Sequence, residues 1–165
     1  ANRYDSLPES EIAITDLEFR DNQFFKIGRF YYQQNQLELS NHYFNKISKE
    51  FTLIADVQLQ QVLIEYALDL PDAIANFDRF LDNGNNTTVY DNALVKRAQI
   101  AFDQKKYTEA LGFLNRILHT QFDEKETFLI TKAWVLYYIE QTSGKTEQDF
   151  YPIIIILEQL AKWLF

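Results

Sequence analysis

Cysteine is absent from these 165 residues, and so is methionine. The first absence excludes disulfides, thiolate metal sites and a cysteine nucleophile. The second extends to the initiator. The chain begins at Ala1, a residue that suits a signal-cleavage boundary. An exported, periplasmic product after signal cleavage would look like this, and so would a trimmed chain; the expectation leans to export, with a cytoplasmic protein as the alternative. Glycine occurs four times and proline three times, too few for a β-rich or disordered chain. The two histidines, His42 and His119, each stand alone in sequence, with no carboxylate or second histidine at ligand spacing. Both are expected on the surface, and neither as a metal ligand or general base. No stretch reaches the ~18 apolar residues of a membrane span. Tyr151–Phe165 comes nearest, but it is short and carries Glu158 and Lys162. Basic residues are outnumbered by acidic ones, 16 against 24, for a net charge of −8. Such a chain repels phosphate, which argues against nucleic acid and against an anionic membrane surface. A basic partner suits it better.

What is present is apolar and aromatic. Hydrophobic residues make up 47% of the chain and aromatics 16%, with ten Tyr and fourteen Phe. The length suggests one domain with a sizeable core. The most informative stretch is Phe24–Ile47. Phe24, Ile27, Gly28 and Tyr31 share one helical face. Gly28 sits mid-helix, where glycine costs about 1 kcal/mol against alanine. Close approach of a second helix would offset that cost. Leu37, Ser40, Phe44 and Ile47 supply such a helix, with small Ser40 facing inward and Asn35-Gln36 as the turn.

Shifted by seventy residues, Gly28 becomes Ala98, Ser40 becomes Ala110, Phe44 becomes Leu114 and Ile47 becomes Ile117. Four inward positions keep their size class, and seventy is twice thirty-five. A period near thirty-five predicts a helical-hairpin array. The pattern Phe24-x2-Ile27-Gly28-x2-Tyr31 … Ser40-x3-Phe44, with its later copy Leu94-x3-Ala98 … Tyr107-x2-Ala110-x3-Leu114, resembles the tetratricopeptide repeat (TPR). The tryptophan position of that repeat holds Phe24 or Leu94 here. The resemblance implies an all-α fold of tandem antiparallel hairpins, about three to four of them, stacked in a right-handed solenoid.

In chain order, residues 1–20 read as an N-terminal arm or capping helix and residues 21–165 as the hairpin domain. The hairpins fall at about 21–49, 52–82, 89–119 and 124–165. In the second, Ala73 and Phe77 repeat the A-x3-F spacing two residues early, so the turn Asp69-Leu70-Pro71-Asp72 is expected to be short. Pro71 is expected at the first helical position. The loop 82–88 fails as a calcium loop, because Ala93 stands where a bidentate Glu belongs. Asn83-Gly84 reads as a turn after a helix end, and Asn85 and Asn86 begin formal glycosylation sequons. The last helix, from about Tyr151 to Phe165, is apolar on every side around Ile153–Leu157. It is expected to be buried, or to dock on a partner or a second copy of the chain.

No catalytic constellation, phosphate-cradling loop or cofactor motif is found in the sequence. The candidate site is geometric and follows from the resemblance. First helices of TPR hairpins line a concave groove. The positions opposite the Phe24–Gly28–Tyr31 seam are Asn22, Phe25, Arg29 and Tyr32 in the first hairpin, Gln60 and Ile64 in the second, and Asn92, Val95, Gln99 and Phe102 in the third. A polar groove with aromatic anchors suits an extended peptide or partner helix. Packing of the aromatics against the neighbouring hairpin is the competing expectation. The Lys and Asn carboxylate clamp of some TPR domains is not matched, since Phe25 with Arg29 and Val95 with Gln99 occupy its slots. The leading expectation is a protein-binding scaffold without chemistry of its own. The run Val57–Leu81 also resembles the second repeat of bacterial envelope-assembly TPR proteins. Alternatives are a secretion-type chaperone that shields apolar segments of its partner, a protein that self-associates through Tyr151–Phe165, and an enzyme on a helical scaffold.

Overall fold

The computed structural model describes residues 17–84, 87–143 and 155–156. Seven helices and no strand occur among them, so the fold is all-α. The helices are α1 (Leu17–Gln33), α2 (Leu37–Phe44), α3 (Ile54–Ala67), α4 (Ala73–Asp82), α5 (Thr88–Asp103), α6 (Tyr107–Leu114) and α7 (Lys125–Ser143). Of the expected N-terminal arm, residues 17–20 belong to α1 and the rest lies outside the described residues. So do the sequon asparagines Asn85 and Asn86, and all of Tyr151–Phe165 except Ile155 and Ile156. The chain divides into two compact units, Ala1–Phe80 and Leu81–Phe165.

In the first unit, α1 and α2 form an antiparallel hairpin. Gly28 and Ser40 meet near the turn, while Asp21 and Ser48 meet at the open end. The close approach expected at Gly28 is present. A Cβ built there would lie 2.6 Å from Cε1 of Phe44, well inside van der Waals contact. The Ser40 hydroxyl donates to the Gly28 carbonyl at 2.8 Å. Phe24, Phe25, Phe44, Ile47 and Phe51 pack with Val57 and Ile64 of α3 into one core. Burial of a side chain such as Phe44 contributes about 1.5–3 kcal/mol.

The second unit repeats this plan. Ala98, Ala101, Ala110 and Leu114 form the core of the α5–α6 hairpin, and Val135 of α7 completes it. Phe128 and Ile139 flank Val135, as Val57 and Leu68 flank Ile64 in the first unit. The three pairs, Val57 with Phe128, Ile64 with Val135 and Leu68 with Ile139, are each seventy-one residues apart.

Three helix ends share one backbone device. Asn35, Asp69 and Lys105 have φ of 56°, 51° and 61°. The next residue's N–H reaches back five positions in each case: Gln36 to Tyr31 at 2.9 Å, Leu70 to Glu65 at 3.0 Å and Lys106 to Ala101 at 2.9 Å. The left-handed residues bond three positions back, to Tyr32, Tyr66 and Phe102. This double pattern is the Schellman motif, here without glycine. It fixes where α1, α3 and α5 stop and where the chain turns.

Two boundaries differ from the sequence reading. The second helices of the hairpins expected over 21–49 and 89–119 stop short of those limits, at Phe44 and Leu114. In both cases a buried carboxylate captures backbone N–H groups just beyond the helix, Asp21 for α2 and Asp91 for α6. Pro71 is not the first residue of α4, which begins at Ala73. Asp72 intervenes at φ 64°, and its carbonyl accepts from the Asn76 N–H at 2.8 Å. The two-residue shortfall is real and is shared. Asp69 lies thirty-four residues after Asn35, and Ala73 follows Asp69 by four residues where Ser40 follows Asn35 by five.

Candidate functional site

The ten groove candidates separate by burial. Phe25, Ile64 and Val95 are buried core residues, and this corrects their assignment to a groove. Phe25 packs its ring on Phe44 and Phe51, at centroid distances of 6.1 and 5.8 Å. Ile64 joins the same cluster from α3. A side chain so enclosed offers a partner no surface. The reason is that α1 and α5 each bury more than the Gly28 or Ala98 seam. Val95 and Ala98 stand three residues apart, so they share one face of α5, and both are fully buried.

Phe102 and Tyr32 are half-buried and pack against their own cores. The Phe102 ring lies 5.5 Å from Tyr107 and 5.6 Å from Tyr138, so it serves as a wedge among α5, α6 and α7. Asn92 is also committed. Its Oδ1 accepts from the Glu124 N–H at 3.1 Å, ahead of α7. Its amide lies 3.5 Å from Asp123 Oδ2. Asn22 donates to the Glu18 carbonyl within α1 at 2.9 Å. Gln60 and Gln99 are half-buried. Arg29 is exposed, with its guanidinium 5.7 Å from the Phe25 ring centroid, a cation–π contact that lays it over the surface of α1. The structure thus groups Asn22, Arg29 and Tyr32 on α1, and Asn92, Gln99 and Phe102 on α5.

Two residues escaped the sequence reading. Asp21 and Asp91 are seventy residues apart and both are buried. Asp21 accepts from the Ser48 N–H at 3.1 Å, from the Ser48 hydroxyl and from Arg20 at 3.1 Å. Asp91 accepts from the N–H groups of Leu118 and His119 at 3.2 and 3.0 Å. Each carboxylate latches the open end of its hairpin to the first helix. Charge-assisted bonds of this kind offset the cost of burying the charge. The pairs Asp21-Asn22 and Asp91-Asn92 were the signal. Extending the seventy-residue comparison one turn before Phe24 would have found them.

His119 is a further correction. Its Nδ1 lies 2.5 Å from Asp91 Oδ2, so it has a carboxylate partner that sequence spacing concealed. The pair is used structurally, because both oxygens of Asp91 also receive backbone donors. His42 is exposed, as expected, with its ring edge-on to Tyr43. In the second unit Arg97 occupies the position of Ile27. It is buried over the Phe113 ring at 4.7 Å and pairs with Glu109 at 2.9 Å, tying α5 to α6. A cavity of about 210 Å³ beside Asp91 is lined by Tyr90, Leu94, Arg116 and Leu118 among others. Arg116 spans it to the Leu81 carbonyl at 3.4 Å. Among the described residues no group of three or more His, Asp or Glu could hold a metal ion. Among them, too, no helix is long and apolar enough to cross a membrane.

α7 carries what the sequence reading passed over. Trp134 is 52% exposed and Ile130 42% exposed. Trp134 stands beside a connected set of rings: Tyr137, Tyr138, Tyr107 and Phe102. Comparison of the chain with protein-family models, with curated proteins and with solved structures gives no match in any of the three.

Proposed function

We propose that this chain is a non-catalytic protein-interaction module. In this reading it is a TPR-like array of helical hairpins, stacked as a right-handed solenoid, that holds a peptide or helix of another protein. The observation that carries the reading is the repeated helix end. Asn35, Asp69 and Lys105 close α1, α3 and α5 with the same hydrogen-bond pattern, at spacings near the thirty-five-residue repeat. Arrays of this kind present first-helix side chains to their partners. Arg29 on α1, Gln60 on α3 and Gln99 on α5 are candidates that support such a role without belonging to the core clusters.

Capture of partners by purified protein tests the proposal. The double variant Arg29→Glu with Gln99→Glu should melt like the parent, because neither side chain is core, and it should lose the captured protein. A partner retained by the folded double variant would refute binding through these faces. Self-association through Tyr151–Phe165 would instead show as a mass above that of the monomer by light scattering, without a captured partner.

A further inference from the structure

We infer that the outward stripe of α7 is a docking site for a cationic peptide helix with one apolar face. This deepens the protein-binding reading and rests on it. Glu126, Ile130, Trp134 and Tyr137 succeed one another at intervals of four, four and three, so they line one side of α7. The other sides are occupied. Leu129, Thr131, Ala133 and Val135 are buried. A half-exposed tryptophan beside an exposed isoleucine, on a helix otherwise packed, forfeits burial that folding usually takes.

The tryptophan is also held in place. Its ring stands edge-on to Tyr137 at 5.9 Å and 87°. It leans on Tyr138 at 6.3 Å. Tyr138 in turn stacks on Tyr107 at 5.0 Å and 8°. An anchor already fixed by its neighbours loses little freedom on binding. Exposed, rigid aromatics are the usual energetic centres of interfaces.

Charge selects the occupant. Glu126 is exposed at the head of the stripe, and exposed Asp123 precedes it. α5 runs parallel to α7, since Asn92 meets Glu124 and Phe102 meets Tyr138. Exposed Asp103 stands at the far end of α5, together with exposed Lys105 and Lys106, which line a groove with Ile139 and Thr142 of α7. Neither Glu126 nor Asp103 forms an ion pair among the described residues. Lys96, the cation on the facing part of α5, is held by Glu124 at 2.9 Å. Lys132 lies over the Phe128 ring, away from the stripe. An apolar strip with carboxylates at its head complements a helix with leucine-like side chains on one face and lysine or arginine toward the end that meets Glu126.

The probe is a labelled, amidated helix of leucine and lysine with all leucines on one face, titrated into the full chain and read by anisotropy. Trp134→Ala should weaken binding about tenfold or more, as loss of a hot-spot aromatic does. Glu126→Lys should weaken it as well and flatten its salt dependence. The second variant keeps the test decisive if the first disturbs folding. Three results would overturn the inference: affinity within about twofold for both variants, equal binding of the same helix with glutamate for lysine, or a monomer–dimer equilibrium that Trp134→Ala abolishes while the probe does not bind. If both α7 variants leave probe affinity unchanged while Arg29→Glu with Gln99→Glu still loses the captured partner, the α7 site fails and the general binding reading stands.

Discussion

Gly28→Ala, alone and combined with Phe44→Leu, probes the seam of the first hairpin directly. A Cβ at position 28 would lie 2.6 and 2.7 Å from Cε1 and Cδ1 of Phe44. Carbon atoms prefer about 3.5–4.0 Å, so the ring must retreat by about 1 Å. It has little room, being almost fully buried among Phe25, Ile47 and Phe51. Overpacking of this kind costs about 1–3 kcal/mol. Helix propensity returns up to about 1 kcal/mol for replacing a mid-helix glycine. With that return the net is a loss of up to about 2 kcal/mol, or a fall in Tm of up to about 8 °C for a chain of this size. The second unit carries the compensated pair, Ala98 with Leu114, both buried at the equivalent positions. Phe44→Leu alone removes volume and should cost about 1–2 kcal/mol. Combined, the alanine fills space that the smaller side chain vacates. Urea denaturation followed by circular dichroism gives the four stabilities of the cycle. The double variant should be at least about 1 kcal/mol more stable than the sum of the single effects. Additivity to within about 0.3–0.5 kcal/mol would refute the size-exchange argument.

Gly112→Ala offers the opposite sign. Gly112 lies on the exposed side of α6, and a Cβ added there would meet nothing within 4 Å, so stability should rise by up to about 1 kcal/mol in the same urea assay. Lys105→Gly should also stabilise, by up to about 1 kcal/mol, because Lys105 is held at φ 61° where glycine has no Cβ penalty; a loss would mean that its side chain matters more than its backbone. Asp91→Ala leaves the part-buried Leu118 and His119 N–H groups without their acceptor, at about 1 kcal/mol for each bond lost. Amide exchange at those two residues should quicken first, ahead of exchange within α5. Phe25→Ala, which a groove role would have left nearly neutral, should cost about 3–5 kcal/mol as a core truncation, measured by thermal melting.

The seam was legible because its parts are close in sequence and repeat. Gly28, Ser40 and Phe44 lie on adjacent helices, and their counterparts Ala98, Ala110 and Leu114 preserve the size relation. The helical class and most boundaries follow from the same periodicity. The groove was not legible, for a physical reason. Apolar spacing marks a buried face but not which neighbour buries it, and α1, α3 and α5 are each covered on more than one side. Phe25 and Ile64 therefore look alike whether they face a partner or the next helix. Asp91 and His119 are twenty-eight residues apart, and no local pattern announces that they touch. The early ends of α2 and α6 depend on the same distant carboxylates. Pro71 misled because the left-handed Asp72, which sequence does not mark, separates it from α4.

The two aspartate latches have a bearing on how the chain reaches its fold. Asp21 closes a span of twenty-seven residues to Ser48, and Asp91 one of twenty-seven to Leu118. Even the α5–α7 pairing of Ala98 with Val135 joins residues only thirty-seven apart. Loop closure over such distances is cheap and grows slowly with length. Topologies dominated by near-neighbour pairings search quickly. Each hairpin can form around its own seam and then be fastened at the far end by a single carboxylate, so the latch ranks as a late, locking event in assembly while the Gly28 or Ala98 contact comes early.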